Sequence, residues 1–452
     1  MGMNSSGSIA VIGAGPAGLF AAKELSHLGY EVTLFNRDIK PGGLAEYGIY
    51  PTKSKLKNGL RRQFFSIISD EKISYFGNIT VGKNTDISID EIRNLGFDAI
   101  LVTTGAQGTK WLGIPGENLL GSYHAKDLVY YYNQLPPYSN KEFHIGKKVA
   151  IIGVGNVMMD ISRYLITTKE VEMVTAIARR GPAEIKFSRK ELEYVVKNLD
   201  MDHFLEEMDR VSPIMTALDQ TPLESVQFIR QAFPNAEVTN SDTVFRIKFL
   251  ASPSRLIGNE KNEIIALELE ENTLINKNGK ISPVATGSKT ILDVDTVIFA
   301  IGDSIDTEFG IPFERNEYVK NSNPRYPIDG VSYETFDPKS NKILEDVFLA
   351  GWARKTSEGL VGNARKDGVN ASQAIHLYLQ ELQHTSNLET KVINAFIQNK
   401  NEKIINKYDL NSLLIEEARL ATHRNVENFK FSTNEEMLAV IEHARLLTGN
   451  SK

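Results

Sequence analysis

Two glycine-rich segments of the chain have the spacing that binds dinucleotides. The first, GAGPAG, places glycines at Gly13, Gly15 and Gly18, after an apolar run over 9–12. Helical periodicity follows as far as Gly29, which predicts a strand, a turn and a helix. Glycine at these three points permits a tight turn, a close approach to a pyrophosphate, and close packing of the helix on the strand. Because the helix N-terminus also offers N–H groups, the segment predicts a phosphate-binding site.

The residues after this unit favour a flavin over a simple nucleotide. A second predicted strand, over 30–35, ends at Asn36, where dinucleotide folds usually have an acid for the ribose hydroxyls. Asparagine can still form hydrogen bonds with a ribose, but without the charge of a carboxylate. The small residues Pro41, Gly42 and Gly43 then allow a second close approach of the main chain, which favours a bulky ligand.

The second glycine-rich segment, GVGNVM over 153–158, lies between a predicted strand over 148–152 and a predicted helix. The next predicted strand, over 171–178, is followed by Arg179 and Arg180. An NAD site favours an acid at this point, whereas arginines provide planar cations for a 2′-phosphate. We therefore predict NADP over NAD; the alternative is a pair of solvated surface arginines.

Two nucleotide-binding units in one chain, one of them with flavin features, predict hydride transfer between two coenzymes. For this step a protein has to bring nicotinamide C4 within about 3–3.5 Å of flavin N5. No acid–base pair is strictly needed, so catalysis would depend on positioning.

Composition excludes several other chemistries. The 452 residues, enough for about two or three domains, contain no cysteine, which excludes disulfides, a catalytic thiol, and thiolate-bound zinc or iron–sulfur centres. The eight histidines form no HxxxH or HxH pair, so we expect no metal. The net charge of −6 argues against nucleic-acid binding through net charge. The chain also lacks an apolar run of about 18 residues, so we expect no membrane span.

The first residues, MGMNSSGS, lack the basic start and apolar core of a secretory signal. They do fit a myristoylation pattern that ends at Ser6. We favour a short flexible lead-in and expect a cytoplasmic protein.

With these motifs in place, the chain resembles the adrenodoxin reductase and FprA-like ferredoxin–NADP reductase family, and more distantly the small subunit of glutamate synthase. The resemblance runs nearly end to end, and the pair Trp352 and Gly359 together with ARRGP is more specific than either glycine motif. Besides the two glycine-rich segments, it is carried by PGGLAEYGI (41–49), FDAILVTTGA (97–106), IPGE (114–117), ARRGP (178–182), FSRKEL (187–192), AIGD (300–303) and LAGWARKTSEGLVGN (349–363).

The resemblance implies an α/β fold with two Rossmann-like dinucleotide-binding domains. The NADP domain, residues 107–316, would be inserted into a discontinuous FAD domain made of 1–106 and 317–452. Residues 385–452 would form a packed helical extension, with an independent helical module as the alternative.

The resemblance also implies which residues bind the coenzymes. Asn36 would lie at the adenosine ribose of FAD, and the main chain over 359–361 would face the flavin and the nicotinamide. The residues expected at FAD are Gly13, Gly15, Pro16, Ala17, Gly18, Asn36, Arg37, Gly43, Leu44, Gly48, Thr104, Gly105, Gly351, Trp352, Gly359, Leu360 and Val361. The residues expected at NADP(H) are Gly153, Gly155, Asn156, Val157, Arg179, Arg180 and Glu191, the last near the nicotinamide half.

Two positions depart from the family pattern. Lys53 stands where the family often has a histidine near the flavin, and Tyr194 replaces a carboxylate often found three residues after the Glu191 position. With Trp352 and Gly359, Lys53 is a candidate catalytic residue, and the exchange at Lys53 is expected to alter the rate or the flavin potential. Without its flanking motif, Trp352 would be taken for a core tryptophan.

Because the chain has no cysteine, electrons must leave the flavin for an external acceptor, which the resemblance suggests is a ferredoxin or a flavodoxin. Such partners are usually acidic, so docking requires a local basic patch. The candidate patch is a run without acids; the alternative is a solvated helix face. Its residues are Lys53, Lys55, Lys57, Arg61 and Arg62.

Two other functions stay open from the sequence. One is an electron-supplying subunit like that of glutamate synthase, although the cysteine-rich segment of such subunits is missing. The other is a non-catalytic flavoprotein that acts as a sensor, which the departures at Asn36 and Lys53 keep in consideration.

Overall fold

The computed structural model describes residues 7–356, 359–382 and 388–448. The acylation pattern that ends at Ser6 lies outside these residues, as does part of the predicted helical extension. The strands are β1 (Ser8–Ile12), β2 (Glu31–Phe35), β3 (Ile73–Phe76), β4 (Ala99–Val102), β5 (Gly108–Thr109), β6 (Ser122–His124), β7 (Lys148–Ile152), β8 (Met173–Ile177), β9 (Val244–Lys248), β10 (Ala251–Gly258), β11 (Ile264–Lys277), β12 (Lys280–Asp293), β13 (Thr296–Phe299), β14 (Asp303–Ser304), β15 (Phe313–Glu314), β16 (Glu317–Tyr318), β17 (Glu334–Asp337) and β18 (Lys342–Leu349).

The α-helices follow the same chain order. They are α1 (Pro16–His27), α2 (Leu44–Tyr47), α3 (Ser54–Ile68), α4 (Ile89–Asn94), α5 (Ala125–Tyr132), α6 (Asn156–Tyr164), α7 (Arg189–Leu192), α8 (Met201–Thr216), α9 (Pro222–Arg230), α10 (Val361–Glu381), α11 (Thr390–Gln398), α12 (Lys407–His423) and α13 (Asn434–Thr448).

The chain forms two compact units. Among the described residues, the first unit contains 7–108, 130–140 and everything from Asp303 onwards, and the second contains 109–129 and 141–302. The predicted division at 106/107 and 316/317 therefore differs from the observed one at three places, of which the first is only a shift of the boundary to 108/109. Residues 130–140 lie with the first unit because Tyr130 and Leu135 pack with Tyr47, and residues 303–316 do so because Ile305 and Phe309 join its core.

The first unit is built on a six-stranded sheet in the order β17-β18-β4-β1-β2-β3. All pairs are parallel except β17 with β18. The apolar run of β1 is buried at every residue, as expected of a central strand with both faces covered. The chain leaves β1 to one side through α1 and β2, while β4 lies on the other side. This reversal of direction opens a crevice at the carboxyl end of β1, where such folds bind ligands.

The second unit repeats this arrangement with the parallel order β6-β13-β7-β8-β9. Here β7 is the central strand, with β8 and β13 as its neighbours. An antiparallel meander of β10, β11 and β12 shares one apolar core with this sheet, in which Leu267 and Leu269 of the meander meet Ile152 and Phe299. The predicted α/β class with two Rossmann-like sheets is confirmed, and the predicted strand over 148–152 matches β7.

The described part of the C-terminal extension packs into the first unit. Leu410 and Leu413 of α12 and Met437 and Ile441 of α13 are buried in the same core as the strands β1 and β2. An independent helical module would have had its own core, so the described helices favour the packed extension.

Candidate coenzyme-binding sites

The loop between β1 and α1 can be formed only by glycine at two of its three positions. Gly13 has φ +112°, and a Cβ there would lie 2.6 Å from the carbonyl oxygen of Thr103. A Cβ on Gly18 would lie 1.9 Å from the carbonyl oxygen of Gly13, which brings the helix close to the strand. These contacts hold the turn against the end of β4, so the local geometry follows from hard-sphere sterics.

Gly15 has the opposite environment and faces open space. A Cβ at Gly15 would have no described protein atom within 4 Å, and no described side chain caps the helix that starts at Pro16. Gly43, with φ +50°, approaches from the second loop, since a Cβ there would lie 3.2 Å from the Cα of Gly15. The Gly42 N–H also donates to the Ala14 carbonyl at 2.7 Å. Two glycine-rich loops thus meet beside free space at a helix N-terminus, a geometry that fits the pyrophosphate of a dinucleotide.

Asn36 is placed at this site, but its amide is engaged by the protein. Its Oδ1 accepts the Ala14 N–H at 3.1 Å, and its Nδ2 donates to the carbonyls of Asp38 at 2.7 Å and Lys40 at 3.0 Å. The side chain therefore ties the first glycine loop to the chain that leads to Gly43. Its predicted contact with ribose stays a prediction, and the geometry gives Asn36 a positioning contact that its residue type alone did not indicate.

The neighbouring polar side chains lie nearer to solvent. The guanidinium of Arg37 contacts the Asp38 carboxylate at 3.0 Å and Gln107 Oε1 at 2.9 Å. Sequence reasoning missed Asp38, although an acid at the end of the second strand is the signal expected for a ribose contact. Thr104 and Gly105 follow β4 at the same end of the sheet, and Gly105 has φ +72°.

Leu44 and Gly48 have a structural role in the second loop. They bound the single-turn helix α2, and a Cβ on Gly48 would lie 2.7 Å from the Leu44 carbonyl oxygen. This turn fixes the direction of the chain after Gly43. Both predicted residues therefore support the loop through the main chain.

The Gly351–Trp352 turn is anchored by a carboxylate. Asp367, on α10, accepts the Gly351 N–H at 2.6 Å and pairs with the Arg354 guanidinium at 2.6 Å. Gly351 has φ +65°, and a Cβ there would lie 2.8 Å from the Cβ of Ala17, so the turn packs directly on the first turn of α1. Trp352 lines a pocket of about 240 Å³ together with Arg354. The structure thus brings the predicted Gly351, Trp352 and Ala17 together.

The start of α10 carries the other predicted flavin contacts. Gly359 has φ +79°, as the tight approach to the helix requires, and Leu360 is largely exposed. The Leu360 N–H donates to Asn363 Oδ1 at 3.3 Å. Of the main chain over 359–361, which is expected to face the flavin and the nicotinamide, the Leu360 amide is therefore already engaged by Asn363.

The second glycine loop repeats the geometry of the first. Gly153 has φ +121°, and a Cβ there would lie 2.4 Å from the carbonyl oxygen of Ala300, which follows β13. A Cβ on Gly155 would have no described protein atom within 4 Å. Val157, in the first turn of α6, is exposed. The second unit thus presents a second open helix N-terminus beside a strand end.

The FSRKEL segment folds over this second loop. The Ser188 N–H donates to Asn156 Oδ1 at 2.9 Å, and the Ser188 hydroxyl accepts the Glu191 N–H at 3.3 Å. These two bonds bring the predicted Glu191 to the loop although 35 residues separate it from Asn156 in sequence. Tyr194, which stands at the expected carboxylate position, packs its ring under the Arg163 guanidinium at 3.9 Å.

The arginine pair after β8 fits an anion. The carbonyl of Arg179 accepts Asn272 Nδ2 at 3.1 Å, and the carbonyl of Arg180 accepts the Leu250 N–H at 3.2 Å, so both main-chain positions are fixed. The Arg179 side chain is exposed. Arg180 Nε is buried with no hydrogen-bond partner among the described residues. A phosphate ester would satisfy this donor, so the residues present fit the predicted 2′-phosphate.

Only some residues of the predicted basic patch lie on the surface of the protein. Lys55 and Arg62 are exposed and Lys53 is half-buried at the start of α3. The inclusion of Lys57 was wrong because this residue is buried, whereas Arg61 is half-buried and its part in docking stays a prediction. Lys57 is 5% exposed and donates to Asn133 Oδ1 at 2.7 Å, and Arg61 donates twice to the Glu46 carboxylate, at 2.7 Å each. The physical reason is that α3 packs its inner face on the loops of the first unit.

A buried charge cluster connects this face to the C-terminal helices. Its fully buried members are Lys40, Glu46, Lys57 and Glu417, and its partly exposed members are Arg61 and Lys430. Lys430 Nζ lies 2.7 Å from Glu46 Oε1, and Lys40 Nζ lies 2.5 Å from Glu417 Oε2. Burial would raise the pKa of Glu46, but Lys430 and Arg61 hold that pKa far below its usual value. Burial, with Lys430 adding repulsion, lowers the pKa of Lys57 to about 7. Sequence reasoning missed this cluster because its members are distant in sequence.

Two kinds of feature are absent from the described part of the chain. No group of three or more histidine, cysteine, aspartate or glutamate side chains in this part of the chain could hold a metal ion. Of the helices described, none combines the length and the apolar character needed to cross a membrane.

The chain is similar to known proteins in sequence and in fold. Residues 7–208 match the pyridine nucleotide-disulphide oxidoreductase family. The chain is 27% identical to the NADPH-ferredoxin reductase FprA of Mycobacterium leprae, over 79% of this chain and 81% of that protein. It is 25% identical to the mitochondrial NADPH:adrenodoxin oxidoreductase of Arabidopsis thaliana, over 95% and 94% of the two chains. Over most of its length the chain is therefore similar to these reductases. The resemblance predicted from the motifs is thereby confirmed.

The fold also matches a solved structure. FprA of Mycobacterium tuberculosis in complex with NADPH superposes with a TM-score of 0.80, covering 96% of this chain and 99% of that one, at 21% identity. At this level of identity the match concerns the fold. It supports the two-unit α/β architecture over nearly the whole chain.

Substitution by alanine should have different effects at Gly15 and at Gly18 of the first loop. Gly18→Ala should destabilise the flavin-free protein by about 1–3 kcal/mol, because its Cβ overlaps the Gly13 carbonyl. Gly15→Ala should leave the melting temperature of the flavin-free protein unchanged and lower the FAD content of the purified protein, because its Cβ enters open space. Thermal melting and the flavin-to-protein absorbance ratio measure the two effects. Equal destabilisation by both substitutions would contradict this assignment.

The buried Lys57 predicts a pH-dependent effect on stability. Its folded-state pKa of about 7 lies below its usual 10.5, so the cost of burying its charge is complete below pH 7 and is relieved as the pH rises towards 10.5. Lys57→Met should therefore raise stability relative to the wild type by about 3 kcal/mol more at pH 6 than at pH 9. Melting temperatures at saturating FAD measure this difference. The exposed Lys55→Met is the control, and a shift that is the same at both pH values would refute the prediction.

Proposed function

We propose that this chain is an FAD-dependent NADPH:ferredoxin oxidoreductase. The observation that carries the proposal is the repeated geometry of the two glycine loops, of which only the second has an arginine pair at the end of the next strand. This asymmetry supports FAD at Gly15 and NADP(H) at Gly155, and the names of these similar reductases agree with it. When bound, NADPH supplies a hydride to FAD, and the flavin in turn supplies single electrons to the acceptor.

The residues of the first unit would bind and orient FAD. The N–H groups at the start of α1 and the main chain of Gly43 would contact the pyrophosphate, while Asn36 keeps the two loops together. Asp367 holds the Gly351–Trp352 turn by accepting the Gly351 N–H, so Trp352 would cover the flavin and exclude water from it.

The residues of the second unit would do the same for NADP(H). The start of α6 would bind the pyrophosphate, and Arg179 and Arg180 would bind the 2′-phosphate. Glu191, fixed by Ser188 beside Asn156, would lie towards the nicotinamide half. Neither unit has to transfer a proton for the hydride step, so these residues act by positioning. Lys53 stays a candidate for tuning the flavin, where its cation would favour the reduced, anionic form.

The acceptor would be a small acidic redox protein such as a ferredoxin or a flavodoxin. The exposed part of α3 supports this choice, since Lys55 and Arg62 are exposed together with the apolar Leu56. Basic groups around an apolar residue favour an acidic partner. The cytoplasmic location expected from the sequence stays a prediction.

The coenzyme preference tests the proposal directly. The wild type should bleach its flavin with NADPH far faster than with NADH under anaerobic conditions. The double substitution Arg179→Ala/Arg180→Ala should lower kcat/KM for NADPH roughly 100-fold, because it removes charge-assisted bonds to the 2′-phosphate. Activity with NADH should be unchanged. Arg230→Ala, an exposed arginine on α9, is the control, and an equal loss with both coenzymes would refute the role of the pair.

The acceptor surface has its own test. Lys55→Glu/Arg62→Glu should raise the KM for an acidic ferredoxin severalfold and weaken its dependence on ionic strength, because it removes electrostatic attraction. NADPH-dependent ferricyanide reduction should stay at the wild-type rate. Lys391→Glu/Lys261→Glu, at two exposed lysines outside α3, controls for net charge because it reverses the same number of charges. If both variants change the KM equally, α3 is not the docking surface.

A further inference from the structure

The second unit fixes the direction in which NADP(H) crosses its sheet, and this inference depends on the proposed function. Arg179 and Arg180 follow β8, which lies on one side of β7, while β13 and β6 lie on the other side. With the pyrophosphate at Gly155 and the adenosine 2′-phosphate at the arginine pair, the adenosine half lies over β8. The nicotinamide half then has to extend over the carboxyl ends of β13 and β6.

Trp111 lies at those two strand ends. Its ring is 5.4 Å from the ring of Phe299, the last residue of β13, and 5.9 Å from the ring of His124, the last residue of β6. Ala300, which follows Phe299, is the residue whose carbonyl abuts Gly153. Trp111 is therefore on the same sheet edge as the second glycine loop.

The indole is held in place and yet left open. Both ring contacts are edge-to-face, with interplanar angles of 66° and 67°, and 43% of the residue stays exposed. The chain next to it is anchored, because the N–H groups of Leu112 and Gly113 each donate to the Glu117 carboxylate at 2.9 Å. His124 brings no competing charge, since burial lowers its pKa to about 4. A fixed, exposed aromatic ring at a ligand-binding edge can pack on a ring or a ribose at little entropic cost.

We propose that Trp111 is a binding residue for the nicotinamide mononucleotide half of NADP(H). Its indole packs against the ribose and the nicotinamide ring as they pass the ends of β13 and β6. The adenosine half of the coenzyme, on the other side of β7, makes no contact with Trp111. This difference between the two halves is what an experiment can resolve.

The test compares two ligands on the FAD-containing protein. Calorimetric titration gives the affinity of NADP⁺, which has both halves, and of 2′,5′-ADP, which has only the adenosine half. Trp111→Ala should weaken NADP⁺ about tenfold and leave 2′,5′-ADP unchanged, while Trp111→Phe should keep most of the NADP⁺ affinity. Leu112→Ala is the matched control, because Leu112 is the next residue and is also 43% exposed.

Three other outcomes would contradict the proposal, and each would do so for a different reason. Unchanged NADP⁺ affinity in Trp111→Ala would overturn the assignment of Trp111 and leave the NADP site intact. Equal weakening of both ligands would mean that Trp111 only supports the fold, which also overturns it. If the wild type bound neither ligand, the proposed function itself would be wrong, and the inference would fall with it.

Discussion

The structure depends on one steric constraint, which is the contact between a glycine at the end of a central strand and the main chain of the neighbouring strand. In the first unit Gly13 meets the Thr103 carbonyl, and in the second Gly153 meets the Ala300 carbonyl. Any side chain at either glycine would overlap a main-chain atom. The turn that follows is thereby pushed to the carboxyl edge of the sheet, and the next helix begins with its N–H groups facing free space.

The main-chain hydrogen bonds around Gly13 correspond one by one to those around Gly153. The Gly13 N–H donates to Phe35, the last residue of β2, and the Gly153 N–H donates to Ile177, the last residue of β8. On the other side, the N–H of Thr103 donates to the last residue of β1, and the N–H of Ala300 to the last residue of β7. Because these hydrogen bonds are the same at both glycines, they do not distinguish the two sites. The side chains that follow the second strand do. Asn36 turns inward and binds the main chain, whereas the arginine pair leaves an unsatisfied donor for a ligand.

Features that depend on local sterics and on sequence periodicity could be predicted from the sequence. The glycine loops, the strands that flank them and the arginine pair are all short-range patterns, and the structure has them where the motifs indicated. What could not be predicted are contacts between distant segments. The basic run on α3 contains Lys57 and Arg61. Nothing near them in sequence shows that Lys57 would be buried against Asn133, or that Arg61 would pair with Glu46. The hydrogen bonds of Asn36 could not be predicted for the same reason, because its partners become neighbours only when the second loop folds back on the first.

The buried charge cluster explains why the C-terminal helices are part of the first unit. Lys430 and Glu417 each pair with a residue of the segment around Gly43, so the extension closes over the loop that approaches Gly15. Four basic side chains share two carboxylates in this cluster, and burying that surplus charge is costly. Lys57 and Lys430 reduce this surplus of positive charge, because burial lowers their pKa values to about 7 and about 8 and so favours their neutral forms.

A bound pyrophosphate would add negative charge beside the same loop. The cluster would then be compensated best when the coenzyme is present, so coenzyme binding and the packing of the C-terminal helices should stabilise each other.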